Sequence, residues 1–329
     1  MKAILKKATI LVASLWLLTV ASISEAAWRL DEDPALSEPR NFRMASDGWR
    51  VEPEDEPPTR EGLDNLRISG SAQCTADGFA ALYAALADAQ GCASVAGGAG
   101  RAASPATAAA PGAPIYDVDL RQESHGFADG LPVSWHKKGN LANEGKTPEE
   151  VALDEEERLA ELRGETTTFV PKGKSDKSRF DAVTFAPENV RTEKDVAEAA
   201  GFRYARFYVT DRTQPDTETI EAFLDFVESL PKDAWLHFHC HAGHGRTTTF
   251  MAMYDMIRNP DIPAETIIER QYLIGGSDLT AMKDEEWKNE RIAERLETLK
   301  MFSRYIRARR AGETTLRWGE WAEEEAEAA

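Results

Sequence analysis

The sequence predicts an α/β fold with a mostly parallel central sheet, and a β-loop-α-β succession supports that prediction. Residues 202–209 alternate as a strand, and apolar residues recur at helical spacing from Ile220 to Leu230. A second apolar strand, residues 234–240, is followed by a helix over residues 247–258. Strands that alternate with helices in this way are typical of parallel sheets.

The first 26 residues predict a secretory signal peptide. Residues 1–7 are basic, residues 10–21 are apolar, and small residues favour cleavage after Ala26. A membrane span needs about 20 apolar residues, so an uncleaved anchor is the weaker alternative. We therefore expect a periplasmic or secreted protein with no membrane association after cleavage.

The chain is strongly acidic, with a formal net charge of −18 over 329 residues. Such a charge argues against general nucleic-acid binding, because the nucleic-acid backbone is itself anionic. It also requires that any site for an anionic substrate be locally basic.

Residues 27–113 are expected to form an N-terminal wrapping segment and a helix with a low-complexity insertion. The helix covers residues 75–89, and the insertion, residues 93–114, is rich in Ala, Gly, Ser and Pro. Cys74 and Cys92 flank the helix. In an exported protein they form either a disulfide or two independent thiols, and the sequence leaves both open.

The predicted catalytic domain covers residues 114–322, and residues 323–329 form an acidic tail. A buried strand is expected from Pro114 to Arg121 and a charged helix over residues 149–163. Two short β-type runs around residues 164–190 predict a small sheet with a lysine-bearing connection.

A helix is expected to begin with a cap at Thr192 and to end at Gly201, just before the first strand of the β-loop-α-β succession.

The second strand of that succession runs into a turn that carries Cys240 and Arg246 in a C-x5-R pattern. The residues between them are His241, Ala242, Gly243, His244 and Gly245. Glycines let successive N–H groups converge into an anion-binding nest, and the following helix adds its positive N-terminus. Such surroundings lower the pKa of a thiol, which predicts Cys240 as a nucleophile and Arg246 as a phosphate clamp. Thr247 or Thr248 can donate a hydrogen bond to the sulfur.

The histidines around Cys240 suggest a metal site as an alternative. His237, His239 and His241 form an H-x-H-x-H pattern, but in a strand they share one face while Cys240 points to the other. Dinuclear zinc hydrolases would need an Asp where His241 stands. Zinc and a merely buried, inert cysteine are therefore the less favoured alternatives.

Asp211 follows the first strand of the succession, as Cys240 ends the second. Loops at the carboxyl ends of parallel strands meet at one edge of the sheet, so both residues are expected to face one cavity. Asp211 is then predicted to protonate a leaving oxygen. The alternative is a helix cap, for which Asp216 competes.

Several segments resemble those of the bacterial protein-tyrosine-phosphatase-like inositol polyphosphatases, also called cysteine phytases, and together they span most of residues 38–322. They are residues 117–126, 132–135, 196–201, 233–240, 243–248, 270–271 and 274–276. The resemblance implies a protein-tyrosine-phosphatase-like α/β domain, with a central mostly parallel sheet flanked by helices and a small partial β-barrel that includes residues 166–185.

The resemblance also implies a function: the removal of phosphates from myo-inositol hexakisphosphate (phytate) and lower inositol phosphates, with no metal or cofactor. Cys240 would form a phosphocysteine, Arg246 would hold the phosphate, and Asp211 would act first as acid and then as base. His239 would support the loop by hydrogen bonding. The expected substrate-binding residues are His241, Ala242, Gly243, His244, Gly245, Arg246, Arg212, Arg43, Lys174, Lys288 and Gln271.

The chain departs from the family pattern after Asp211, where Arg212 and Gln214 replace the usual His and Trp. Glu290 stands where a Lys is common. Two alternatives therefore accompany the main prediction: a phosphotyrosine or dual-specificity phosphatase, and a catalytically silent inositol-phosphate-binding protein. Either a monomer or a homodimer is expected.

Overall fold

The computed structural model describes residues 26–96, 112–137, 140–171 and 180–328, with the backbone alone for residues 92–96. The predicted signal peptide up to residue 25, most of the low-complexity insertion and Lys174 lie outside these residues. No helix within the described ranges is long and apolar enough to cross a membrane.

The elements alternate along the chain much as the sequence predicts. The strands are β1 (Ala27–Leu30), β2 (Arg43–Met44), β3 (Ile68–Ala72), β4 (Ile115–Asp119), β5 (His125–Ala128), β6 (Leu131–His136), β7 (Thr167–Pro171), β8 (Val183–Phe185), β9 (Val190–Arg191), β10 (Arg203–Arg206) and β11 (Trp235–Cys240). The helices are α1 (Ala76–Ala96), α2 (Pro148–Leu162), α3 (Glu193–Ala200), α4 (Thr217–Ser229), α5 (Gly245–Arg258), α6 (Ala264–Leu273), α7 (Glu286–Ala311) and α8 (Trp318–Ala328).

Local sequence fixes the ends of α3. The Thr192 hydroxyl accepts a hydrogen bond from the Asp195 amide, and the Asp195 carboxylate accepts one from the Thr192 amide. Gly201 closes the helix in the left-handed conformation, with φ of 109°. This reciprocal cap satisfies amides that the first turn of a helix leaves unpaired. The predicted start and stop of this helix are confirmed.

The central sheet has the strand order β10-β4-β11-β3-β2. The first four strands are mutually parallel, and only β2, at the edge, is antiparallel. β11 pairs with β4 on one side and with β3 on the other. Cys240, the last residue of β11, therefore lies at the carboxyl end of a central strand.

Helices cover both faces of this sheet, and the alternation of β11 decides which side chain meets which layer. Leu236, Phe238 and Cys240 face the apolar core formed with α4 to α8. Trp235 packs on the opposite face against α1 and α3. His239 lies on that opposite face too, with its ring edge-on to Phe79 of α1. The expected separation from Cys240 is therefore present for His237 and His239, which stack on each other, whereas His241, after the strand, lies beside Cys240 in the lining of one cavity.

A second sheet curls beside the first as a half-barrel with the order β8-β7-β1-β6-β5-β9. Its core is a separate apolar cluster. The predicted fold class, a phosphatase-type α/β domain with a small partial β-barrel, is confirmed.

The structure differs from expectation in how much of the chain builds these sheets. Residues 164–190 supply only three of the six half-barrel strands, while β1, β5 and β6 come from earlier in the chain. The N-terminal segment likewise contributes β3 to the centre of the main sheet. The predicted acidic tail continues α8, whose Trp318 and Trp321 are buried. The assigned domain boundaries stay a prediction.

Candidate active site

The Cys240 thiol lies at the carboxyl end of β11, where residues 241–244 turn over the strand end and α5 begins. The residue is only 3% exposed. The turn depends on Gly243, whose φ is +70° and whose added Cβ would lie 2.4 Å from the backbone carbon of Ser71. A side chain at this position would therefore displace the loop.

The segment that enters β2 holds the outside of this turn. The Asn41 amide donates a hydrogen bond to the Ala242 carbonyl at 2.8 Å, and Arg43 Nη1 donates one to the Gly243 carbonyl at 2.9 Å. The C=O and N–H of a trans peptide point in opposite directions. Fixing these carbonyls outward therefore directs the amides of Gly243 and His244 into the turn, as an anion-binding nest requires.

The surroundings of Cys240 favour its thiolate. Burial by itself raises the pKa of the thiol, but the positive charge of Arg246 and a hydrogen bond from Thr247 lower it by more. The Thr247 hydroxyl donates to the sulfur at 3.2 Å. The net pKa of Cys240 lies below that of an ordinary thiol.

Arg246 is held in place by a carboxylate that the sequence did not single out. Its Nη1 and Nη2 donate to the two carboxylate oxygens of Glu123 at 2.7 and 2.9 Å. Both side chains are buried. Burial lowers the pKa of the guanidinium, yet Glu123 raises it well above its usual value, so the cation is fixed and permanent.

Asp211 joins this cluster from the loop after β10. Its Oδ1 lies 3.3 Å from Arg246 Nη2, and its side chain is 22% exposed. Arg212 follows with a left-handed φ of 71°. The helix-cap alternative fails, because Asp216 caps α4 by accepting a hydrogen bond from the Thr219 amide.

Cys240, Arg246 and Asp211 open into one cavity of about 310 Å³. Among the described residues, its lining contains six Lys or Arg side chains and one carboxylate. The lining residues are Asp211, Arg212, Cys240, His241, Ala242, His244, Gly245, Arg246, Lys283, Trp287, Lys288, Arg291, Ile292 and Arg295. The acidic chain thus has the locally basic pocket that an anionic substrate requires.

The structure does not bring every expected substrate-binding residue to this cavity. Arg43 is fully buried behind the loop, and Gln271 is fully buried beside Asp255, to which it donates a hydrogen bond at 2.9 Å. Neither lines the cavity. Gly243 forms part of the turn but is not among the residues that line the cavity. Lys174 is outside the described residues.

Of the basic side chains that Lys283 and α7 contribute, sequence reasoning named Lys288 and missed Lys283, Arg291 and Arg295. Lys288, Arg291 and Arg295 recur at three- and four-residue spacing, which places them on one helical face. Trp287 stands among them, with Arg212 and Arg291 within 5.7 Å of its ring centre. The helical stripe was visible in the sequence, but nothing local showed that it faces Cys240.

His239 lies behind the loop in a buried polar network. Its Nε2 is 2.6 Å from Glu193 Oε1 and 3.4 Å from Asp117 Oδ1, and neither ring nitrogen has a hydrogen-bond partner of acceptable geometry among the described residues. Burial lowers the pKa of His239, but the two carboxylates raise it well above its usual value. The ring therefore ties β11 to α3 through ion pairs rather than by hydrogen bonds to the loop.

Two triads in this network have ligand atoms within 4.8 Å of one another, the distance range in which a cation can be held. They are Asp117, Glu193 and His239, and Asp119, His125 and Glu193. Both are buried and share Glu193, and neither includes a cavity-lining residue. The prediction that no metal takes part in catalysis stays a prediction.

The half-barrel, the parallel sheet and the loop at the end of β11 define an α/β domain of the protein-tyrosine-phosphatase type. Residues 118–258 match the family described as PTP-like phytase, inositol hexakisphosphate. Over these residues, which are less than half of the chain, the protein is similar to the PTP-like phytase family.

Solved structures extend this likeness over nearly the whole chain. The PTP-like myo-inositol phosphatase from Mitsuokella multacida, in complex with myo-inositol-(1,3,4,5)-tetrakisphosphate, matches with a TM-score of 0.77 and 32% identity, covering 95% of this chain and 52% of that one. A PTP-like phytase from Bdellovibrio bacteriovorus matches with a TM-score of 0.66 and 29% identity, covering 90% and 94%.

Among sequence relatives, the effector protein hopD2 of Pseudomonas syringae pv. tomato is 33% identical over 223 residues, or 65% of this chain and 47% of that protein. The chain thus spans about half the length of this relative and of the Mitsuokella protein.

Proposed function

We propose that the protein is a cysteine-dependent phosphatase that hydrolyses the phosphate monoesters of myo-inositol hexakisphosphate and lower inositol phosphates. The observation that carries the proposal is the convergence of Cys240, Arg246 and Asp211 on a single basic cavity. The match of residues 118–258 to the PTP-like phytase family supports it.

In the first half-reaction, the Cys240 thiolate attacks phosphorus and forms an S–P bond as the P–O bond to the inositol breaks. The loop amides and Arg246 bind the phosphate oxygens, where charge is held in the transition state. Protonated Asp211 gives its proton to the leaving oxygen, which departs as a hydroxyl.

In the second half-reaction, the Asp211 carboxylate takes a proton from water, and the water oxygen bonds to phosphorus. The S–P bond breaks and its electron pair returns to sulfur. The Thr247 hydroxyl, 3.2 Å from Sγ, stabilises the returning thiolate. Every step uses side chains of this chain, and we propose that no metal takes part.

A polyanion fits the cavity better than a singly phosphorylated substrate does. One phosphate needs only the loop and Arg246, whereas five further basic side chains line the same cavity. Four of them come from Lys283 and α7 and not from the loop itself. Their charge would bind the phosphates that are not being cleaved.

Phosphate release from phytate, followed by ion chromatography of the products, tests this proposal. The wild-type protein should release phosphate in steps and tolerate a chelator. Cys240→Ser should abolish release while still binding phytate in a thermal-shift assay. Full activity in that variant, or loss of activity with chelator, would refute the mechanism.

A phosphotyrosine phosphatase is the second candidate, favoured by a 36% identical match over 61 residues to tyrosine-protein phosphatase 2 of Schizosaccharomyces pombe. That match covers 18% of this chain and 9% of that protein. A higher kcat/KM for a phosphotyrosyl peptide than for phytate would favour this candidate.

A catalytically silent binder is the third possibility. It would bind phytate in the thermal-shift assay without releasing phosphate. Two features argue against a silent binder: the pKa of the Cys240 thiol is lowered, and Asp211 lines the same cavity.

We further propose that the protein acts in the periplasm or outside the cell after signal cleavage at Ala26. Fractionation of cells that express the full chain, with N-terminal sequencing of the exported form, tests this location.

A further inference from the structure

Asn140 occupies an unusual position beside the proposed acid. It lies after β6, is 8% exposed, and has a left-handed φ of 66°. Few residue types adopt this conformation readily, and asparagine is one of them. The backbone is held there by a turn in which the Asn140 amide donates to the Lys137 carbonyl at 2.9 Å.

The side-chain amide of Asn140 reaches two functional carboxylates at once. Its Nδ2 donates to Glu123 Oε1 at 3.0 Å and approaches Asp211 Oδ2 at 3.4 Å. The other oxygen of Asp211, Oδ1, faces Arg246 Nη2 at 3.3 Å. Asp211 is therefore contacted at both oxygens, and Asn140 links it to the carboxylate that fixes Arg246.

We propose that Asn140 is a positioning residue for Asp211, which it aligns with the leaving oxygen and later with the attacking water. This inference rests on the proposed phosphatase function and goes beyond it. Asp211 stands on a loop and its side chain is 22% exposed, so the contact of one oxygen with Arg246 would by itself leave it able to turn toward solvent. The buried amide of Asn140 removes that freedom. Because it is a neutral donor, it adds no charge beside an acid that must bind and release a proton.

The alternative partner for this job is Arg212, whose Nε is 3.9 Å from Asp211 Oδ2. Its side chain is 43% exposed, and its guanidinium lies 5.7 Å from the Trp287 ring. An exposed, mobile cation fixes a carboxylate less well than a buried amide does. The geometry therefore favours Asn140.

The test uses leaving groups that differ in their need for an acid. p-Nitrophenolate leaves without a proton, whereas an inositol or benzyl alkoxide needs one. Asn140→Gly keeps the left-handed backbone and removes the amide. We expect it to lower single-turnover cleavage of benzyl phosphate by roughly tenfold to a hundredfold, a part of the 10²–10⁴ that a positioned acid supplies. The burst of p-nitrophenolate from p-nitrophenyl phosphate should change less than about threefold by the same reasoning.

A double-mutant cycle separates positioning from a general structural effect. In an Asp211→Asn background, adding Asn140→Gly should change benzyl phosphate cleavage very little, because the group being positioned is already gone. Asn143→Ala is the matched control. Asn143 is a buried amide three residues along that donates to the Gln122 carbonyl and to Ser124 Oγ, not to Asp211. Asn143→Ala should leave the ratio of the cleavage rates of benzyl phosphate and p-nitrophenyl phosphate unchanged.

Equal losses on the two substrates in Asn140→Gly would overturn the inference, and so would additive effects in the cycle. Either result would leave the phosphatase function standing. A wild-type protein that releases neither p-nitrophenolate from p-nitrophenyl phosphate nor phosphate from phytate would instead refute the proposed function, and this inference with it.

Discussion

Replacing Arg43 by Met decides between two roles for this side chain, a substrate ligand as the sequence suggested or a support for the loop as its surroundings indicate. Arg43 Nη1 donates to the Gly243 carbonyl at 2.9 Å, and Nη2 donates to Thr248 Oγ1 at 3.0 Å. The residue is fully buried. Burial lowers the pKa of the guanidinium to about 10, partly offset by the Cys240 thiolate, so it stays charged at neutral pH.

The structure gives the size of the expected effect. A buried acceptor left without its donor costs about 1–3 kcal/mol. Arg43→Met strands the buried Gly243 carbonyl and the part-buried Asn41 carbonyl, whereas Thr248 Oγ1 still accepts a hydrogen bond from the Ser277 amide. Removing a buried charge offsets part of that cost, so we expect the free energy of unfolding to fall by about 2–4 kcal/mol. A protein of ordinary stability, about 5–15 kcal/mol, would remain folded.

Urea denaturation and steady-state kinetics measure the two consequences. With the Gly243 carbonyl released, the loop amides lose their inward direction, so kcat should fall about tenfold or more for phytate and for p-nitrophenyl phosphate alike. Arg310→Met is the control, since its side chain is 60% exposed and forms an ion pair with Asp261 at 3.6 Å. A raised KM for phytate, with unchanged stability and kcat, would show instead that Arg43 binds substrate.

Three further predictions concern the thiol, the turn and the rim of the cavity. Because the pKa of Cys240 is lowered, its alkylation by iodoacetamide should reach half-maximal rate at a pH below the usual ~8.5, and Thr247→Val should raise that pH. Gly243→Ala should abolish most activity on p-nitrophenyl phosphate, whereas Gly145→Ala should not, since both glycines have positive φ but only Gly243 lies against another backbone segment. Arg291→Ala should lower kcat/KM for phytate about tenfold, the effect of one lost charge-assisted contact, and leave p-nitrophenyl phosphate nearly unchanged.

The parts of the site that lie close together in sequence could be predicted from the residues. Cys240, Gly243 and Arg246 belong to one turn between a strand and a helix, so local geometry and charge already indicate an anion site. Asp211 required one more step, the rule that parallel strands end at the same edge of a sheet. The structure places it 3.3 Å from Arg246.

The parts that depend on distant contacts could not be predicted in this way. Glu123 lies in the family-like segment 117–126 and Asn140 in none, but nothing local shows the role of either. Those roles arise because the fold brings the two side chains to Arg246 and Asp211. Arg43 is separated from Gly243 by 200 residues, and an arginine in a charged segment gives no sign of being buried. Charge pattern alone cannot distinguish a buried support from a surface ligand.

The acidity of the chain and the basicity of its cavity follow from one arrangement of charge. Behind the loop, carboxylates form ion pairs with cationic side chains: Glu123 pairs with Arg246, and Glu193 pairs with His239. In front of it, six basic side chains face one carboxylate. At physiological ionic strength charges more than about 8 Å apart are largely screened, so a bound phosphate responds to the cavity and little to the net charge of −18. The overall acidity therefore does not oppose the binding of an anionic substrate once that substrate has entered the locally basic cavity.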